Sequence, residues 1–111
     1  MNFGDIYLVD FDPSVGHEFK KIRPAIIVQE KQIFGHSPLV TIIPMTSQIQ
    51  KQKKYDVYVP RDEKNRLESD SLIKVQQITS YDKSRFIRPI GFANSPTIRK
   101  VRGYLRKHFG L

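Results

Sequence analysis

Two short apolar runs constrain what this chain can fold into. AIIVQ at 25–29 and LVTIIPM at 39–45 are too short for buried helices, and both are apolar on each alternating phase. That suits central strands covered on two faces. Around them the pattern has a period of two: Tyr55, Val57 and Val59 alternate with Asp56 and Tyr58, while DIYLVDF and SLIKVQQI are equally rich in strand formers. Pro13, Pro24, Pro38, Pro44 and Pro60 punctuate the spaces between runs, where a missing amide donor does least damage. The alternation predicts a strand over 72–78, with Lys74, Gln76 and Ile78 sharing one face.

Near the C-terminus the period changes. Ser95 suits an N-cap with Pro96 at the first helical position, and Ile98, Val101, Leu105 and Phe109 recur at helical spacing, which predicts one helix with a single apolar stripe. Its opposite side carries Arg99, Lys100, Arg102, Arg106 and Lys107, either a solvated face or a surface for nucleic acid or a partner. Gly103 should cost about 1 kcal/mol against alanine, which close packing there or an earlier helix end would explain. Many short strands followed by one helix predict a mainly β fold with a C-terminal helix, a small, strongly curved β-barrel or sheet with the helix packed on it. At 111 residues, 1–111 is expected to form one domain.

Nineteen Lys and Arg against 11 Asp and Glu give a formal charge of +8, enough to attract and steer a polyanion. No apolar run approaches the roughly 20 residues that span a bilayer. MNFGDIYLVD lacks the basic and apolar regions of an export signal, so a cytoplasmic protein without membrane contact is expected. The chain has no cysteine, and His17, His36 and His108 stand far apart, so neither a metal nor another cofactor is expected.

Three places concentrate polar chemistry. His17, Glu18, Lys20, Lys21 and Arg23 crowd the loop before the first apolar run, a position where a rigid scaffold holds exposed side chains. Pro24 biases Arg23 towards an extended conformation, and a guanidinium fork suits phosphate, although pairing with Glu18 would explain the arginine equally well. After Pro44, the sequence Thr46-Ser47-Gln48 offers groups that either donate to a phosphoryl oxygen or close a turn. Lys74 beside Gln76 would set a cation next to an amide able to read a base edge, or would simply be the polar side of an edge strand.

Four segments, GDIYLVDFDPSVGHE at 4–18, RPAIIVQ at 23–29, IIPMTSQ at 42–48 and QQITSYDKSRF at 76–86, occur in an order that resembles the MazF/PemK family of bacterial toxin endoribonucleases. The resemblance implies an SH3-like barrel, a homodimer, and metal-independent cleavage of single-stranded RNA at short sequences. In such enzymes the RNA's own 2′-hydroxyl attacks, leaving a 2′,3′-cyclic phosphate and a 5′-hydroxyl. It also implies an antitoxin that lays an acidic, partly disordered segment over a basic groove.

By position, Arg23 and Thr46 match the family's catalytic arginine and threonine. Glu18 matches an acidic residue of the same loop, acting as base or orienting Arg23. Ser47 matches a groove hydroxyl, and His17, Gln48 and Gln77 complete the RNA-binding candidates. Lys74 and Gln76 fall where some members use a cation and a carboxylate, but here the carboxylate position holds glutamine. Phe19, Lys20, Lys21 and Ile22 also depart from the family's glycine-containing loop. Phe19 either stacks on a base or packs against a dimer partner, and the lysines would hold phosphates. Two other readings are a non-enzymatic, gyrase-poisoning toxin on the same fold and a catalytically silent RNA-binding module.

Overall fold

A computed structural model describes residues 1–11 and 22–111. Its strands are β1 (Asp5–Asp10), β2 (Ile22–Ile27), β3 (Leu39–Thr46), β4 (Asp56–Val59), β5 (Ser71–Lys74), β6 (Thr79–Asp82) and β7 (Phe86–Phe92). A short helix α1 (Lys31–Phe34) joins β2 to β3, and α2 (Ser95–Phe109) closes the chain. The strands pair antiparallel in the order β4-β5-β3-β2-β1-β7, with β6 also on β3. The path ends at β4 and β7 without a closing pair.

The two apolar runs are continuous because each serves two cores. Ile26 pairs with Ile43, and both face Ile6, Met45, Val57 and Ile73. One residue along, Ile27 pairs with Ile42, and both face Val9, Ala25 and Val40 on the other side. All four isoleucines are fully buried, and each such burial contributes about 2 kcal/mol.

Helix α2 covers the first core. Val101 is buried, while Ile98, Tyr104 and Leu105 pack partly buried against the same cluster. The helix starts one residue earlier than the sequence suggests: Asn94 is the N-cap, its side chain accepting from the Thr97 amide at 2.9 Å, and Ser95 is already helical. Two details of the stripe also differ. Phe109 is exposed and meets the His108 ring edge-on at 4.8 Å. Gly103 lies within the helix, and a methyl there would meet open space rather than a packed neighbour.

The predicted strand over 72–78 is broken. Strand β5 stops at Lys74, a 3-10 turn occupies Val75–Gln77, and β6 begins at Thr79. Burial of Val75 inside the first core and the capture of Lys74 by Asp56 turn the chain there. Lys74 and Gln76 therefore do not share a strand face.

Candidate functional site

Strands β2 and β3 pair Ala25 with Pro44, Ile26 with Ile43 and Ile27 with Ile42. Beyond Pro44 strand β3 turns to β5, with Thr46 opposite Leu72, while Arg23 lies two residues before Ala25 on β2. Arg23 and Thr46 both line one groove of about 690 Å³. Arg23 is exposed at the start of β2, across from Val9 of β1. Its direction is limited by Pro24, which itself stands opposite Leu8.

Thr46 ends β3, and its Oγ1 accepts from the Gln48 amide at 3.2 Å. This closes the turn that presents Ser47 and Gln48 to the groove. Accepting one hydrogen bond leaves the threonine O–H as a donor. The two uses foreseen for these residues, closing a turn and donating outward, are thus compatible.

Strand β7 and the loop over 60–70 supply the other walls. Arg88 pairs with Leu8 from the side opposite Pro24, so the two Arg-Pro dipeptides, Arg23-Pro24 and Arg88-Pro89, flank β1 and both line the groove. The loop adds Arg66, Glu68 and Ser69. It is fixed by Asn65, 2% exposed, whose Oδ1 accepts from the Asp62 and Leu67 amides and whose Nδ2 donates to the Pro60 carbonyl at 2.9 Å. Asp62 Oδ1 reciprocates by accepting from the amides of Lys64 and Asn65. The loop docks on β7 through the Phe92 amide, 3.0 Å from the Lys64 carbonyl, and a side chain at Gly91 would collide with the Lys64 and Asn65 carbonyls. Arg66 is held at φ +53°, a region side chains seldom occupy.

At the loop's far end, the Tyr58 hydroxyl donates to Asp70 Oδ2 at 2.6 Å and the Arg61 amide to Oδ1 at 2.9 Å. The tyrosine hydrogen bond, then the amide, hold the Asp70 carboxyl below its usual range, and the same bond pushes the Tyr58 phenol up. Among the described residues the groove contains Arg23, Arg66 and Arg88 against Glu68. With threonine, serine and glutamine donors beside them, these groups suit a chain of phosphates.

The structure brings together Arg23, Thr46, Ser47 and Gln48 and leaves other candidates elsewhere. Lys74 is ion-paired with Asp56 at 2.7 Å. Gln76 lines a different cavity, and Gln77 is exposed on the same turn. His17, Glu18, Phe19, Lys20 and Lys21 lie outside the described residues. Arg66 and Arg88 escaped the sequence reading, although Arg88-Pro89 repeats the dipeptide that singled out Arg23. Among the described residues no three His, Asp or Glu side chains gather as metal ligands, and no helix is long and apolar enough to cross a membrane.

Residues 2–109 match the family described as PemK-like, MazF-like toxin of type II toxin-antitoxin system. A curated endoribonuclease MazF of Staphylococcus saprophyticus is 31% identical over 111 residues, all of this chain and 92% of that protein. A crystal structure of MazF from Deinococcus radiodurans superposes with a TM-score of 0.81 at 25% identity, covering 100% of this chain and 97% of that one. The fold also matches a MazE-MazF crystal structure from the same organism, with a TM-score of 0.83 at 24% identity over 100% and 96% of the two chains.

Proposed function

This chain belongs to the PemK-like, MazF-like toxin family of type II toxin-antitoxin systems, and we propose that it is an endoribonuclease cutting single-stranded RNA without a metal at short sequences. The observation that carries this reading is that Arg23 and Thr46 line one groove with two further arginines, Arg66 and Arg88. The RNA supplies its own nucleophile. Its 2′-oxygen bonds to the adjacent phosphorus as the P–O5′ bond breaks, giving a 2′,3′-cyclic phosphate and a 5′-hydroxyl. One proton must leave the 2′-hydroxyl and one must reach the departing 5′-oxygen.

Arg23 stabilises the charge that grows on the phosphorane oxygens and serves as a proton donor to the departing 5′-oxygen. Thr46 donates to the phosphate or orients the 2′-hydroxyl, and Ser47 and Gln48 hold the strand. Glu18, as base or as orienter of Arg23, remains part of the proposal. So do base stacking by Phe19 and phosphate contacts by His17, Lys20 and Lys21.

The partners follow the same reading. An antitoxin with an acidic, disordered segment would cover the arginine-lined groove. A homodimer of open, SH3-like barrels is supported by Tyr7, Phe11, Tyr81 and Phe86, which sit half-buried around the second core, whereas α2 packs on the first.

The deciding experiment incubates the purified protein with a library of single-stranded RNA in excess EDTA. Cleavage, with new 5′ ends that a polynucleotide kinase labels directly, is expected from the wild type and slowed by about 10²–10³-fold in Arg23→Ala. An uncut library, or equal cutting by the variant, contradicts the proposal.

A further inference from the structure

Apart from the groove, a cavity of about 230 Å³ opens between the end of β5 and the last turns of α2. Tyr55, Val75, Gln76, Tyr104, Lys107 and His108 line it. The rings of Tyr55 and Tyr104 meet edge-on, centroids 5.3 Å apart. Two ammonium groups stand over the Tyr55 ring, Lys54 at 5.4 Å and Lys107 at 6.0 Å. Tyr55 is held at φ +72°, an uncommon conformation for an aromatic residue and one that persists only where the surroundings impose it.

The charge around this cavity has one sign. Residues 48–55 and 95–111 carry eight Lys and Arg and no Asp or Glu. Nearby Asp56 is already occupied by Lys74. An aromatic wall, an amide and flanking cations match a nucleobase and its phosphates: rings stack, the Gln76 amide meets a base edge and lysines take the backbone. The volume falls below the roughly 300 Å³ at which whole small-molecule sites begin, which suits one base better than a stretch of peptide. Strand β5 links the two places, since Ser71 lines the cleavage groove and Val75 lines the cavity. At the rise of a strand Ser71 and Lys74 stand roughly 10 Å apart, and Val75 follows directly.

We infer that this cavity is a second RNA subsite, which captures a base of the bound strand outside the cleavage groove and extends the RNA path onto α2. This rests on the endoribonuclease reading above.

The test uses full-length protein carrying Arg23→Ala, and a long single-stranded RNA that the wild type cuts. Affinity is read by fluorescence anisotropy at several salt concentrations. Tyr55→Asn, which tolerates a positive φ, should weaken binding by roughly fivefold to a hundredfold with an unchanged salt slope, as loss of one stacked base requires. Lys107→Gln should weaken it and also reduce the slope by about one. Photo-crosslinking of 4-thiouridine placed along the strand should label a peptide containing Tyr55 or Tyr104.

If Tyr55→Asn does not fold, Lys107→Gln and the crosslink decide. Unchanged affinity in the folded variants with no crosslink to these peptides overturns the subsite while leaving cleavage intact. A wild type that cuts no RNA removes the underlying reading instead. An acidic peptide whose binding needs Tyr55 and Lys107 while RNA affinity ignores both overturns the RNA assignment in favour of a protein partner.

Discussion

Lys74 Nζ lies 2.7 Å from Asp56 Oδ2, with the lysine side chain 18% exposed and the aspartate side chain 7%. Asp56 also accepts from the Lys53 amide at 2.9 Å, so it ties the end of β5 to the entry of β4. Removing one member of such a pair strands the other in a poorly hydrated place. Asp56→Ala is therefore expected to cost about 3 kcal/mol, near the lower end for buried pairs. Lys74→Ala should cost less, about 2 kcal/mol, because the Lys53 amide still satisfies the carboxylate. Urea denaturation measures both. RNA cleavage by Lys74→Ala, normalised to folded protein, should stay close to wild type, because this lysine does not line the groove.

Arg23 is exposed at the start of β2. Arg23→Ala should leave the melting temperature nearly unchanged and slow cleavage by about 10²–10³-fold, the usual loss on removing a preorganised donor from a charged transition state. Thr46→Ser should retain most of the rate and Thr46→Val little of it, because the valine lacks both the acceptor for the Gln48 amide and the O–H. Single-turnover cleavage rates at saturating protein distinguish these outcomes.

Two surface carboxylates contribute to the acid limb of stability. Asp70 is held below its usual 3.8 by the Tyr58 hydroxyl and the Arg61 amide, and Asp82 is held below 3.8 by hydrogen bonds from the Ser84 amide and side chain. Both have lower pKa values folded than unfolded. In that interval the unfolded chain binds more protons, so stability rises with pH. Their contributions are complete above 3.8 and are lost as the pH falls through the folded values. Urea midpoints measured down the acid range should drop below 3.8, with a shallower fall for Asp70→Asn. Tyr58→Phe should also make the fall shallower, by releasing Asp70 from its strongest donor.

Gly103 offers a gain in stability. It lies inside α2 with open space where a methyl group would sit, so alanine restores helix propensity without a clash. Gly103→Ala should stabilise the protein by about 1 kcal/mol, seen as a higher urea midpoint with an unchanged slope.

The strands at 25–27 and 39–46 and the C-terminal helix were legible in the sequence because each is a local pattern, a two-sided apolar run or a helical stripe. Arg23 and Thr46, which line one groove, stood out as polar groups beside core strands, but only the family resemblance proposed roles for them. The break after Lys74 was not legible, because its cause is Asp56, far back in the chain. Arg66 and Arg88 were hidden for the same reason. They reach the groove through the β1–β7 pairing and the Asn65-centred loop; only the Arg88-Pro89 dipeptide offered a local hint, and nothing beside Arg66 did. The helix start was missed by one residue because Asn94 and Ser95 are both good caps, and the Thr97 amide selects the first.

The three-residue turn at Val75–Gln77 also works as a phase changer. Carried on from Met45 opposite Ile73, the pairing along β3 would set Ile42 against Gln76, but Ile42 meets Thr79, three residues later. An odd slip inverts the alternation, so odd-numbered residues look into the first core before the turn, as Ile73 does, and into the second after it, as Tyr81 does. A one-residue deletion in the turn would point Tyr81 at solvent, whereas a two-residue deletion would keep its side of the sheet. Residues 71–82 thus lend side chains to both cores while their strands stay paired with β3, so one stretch of chain stitches the two clusters together.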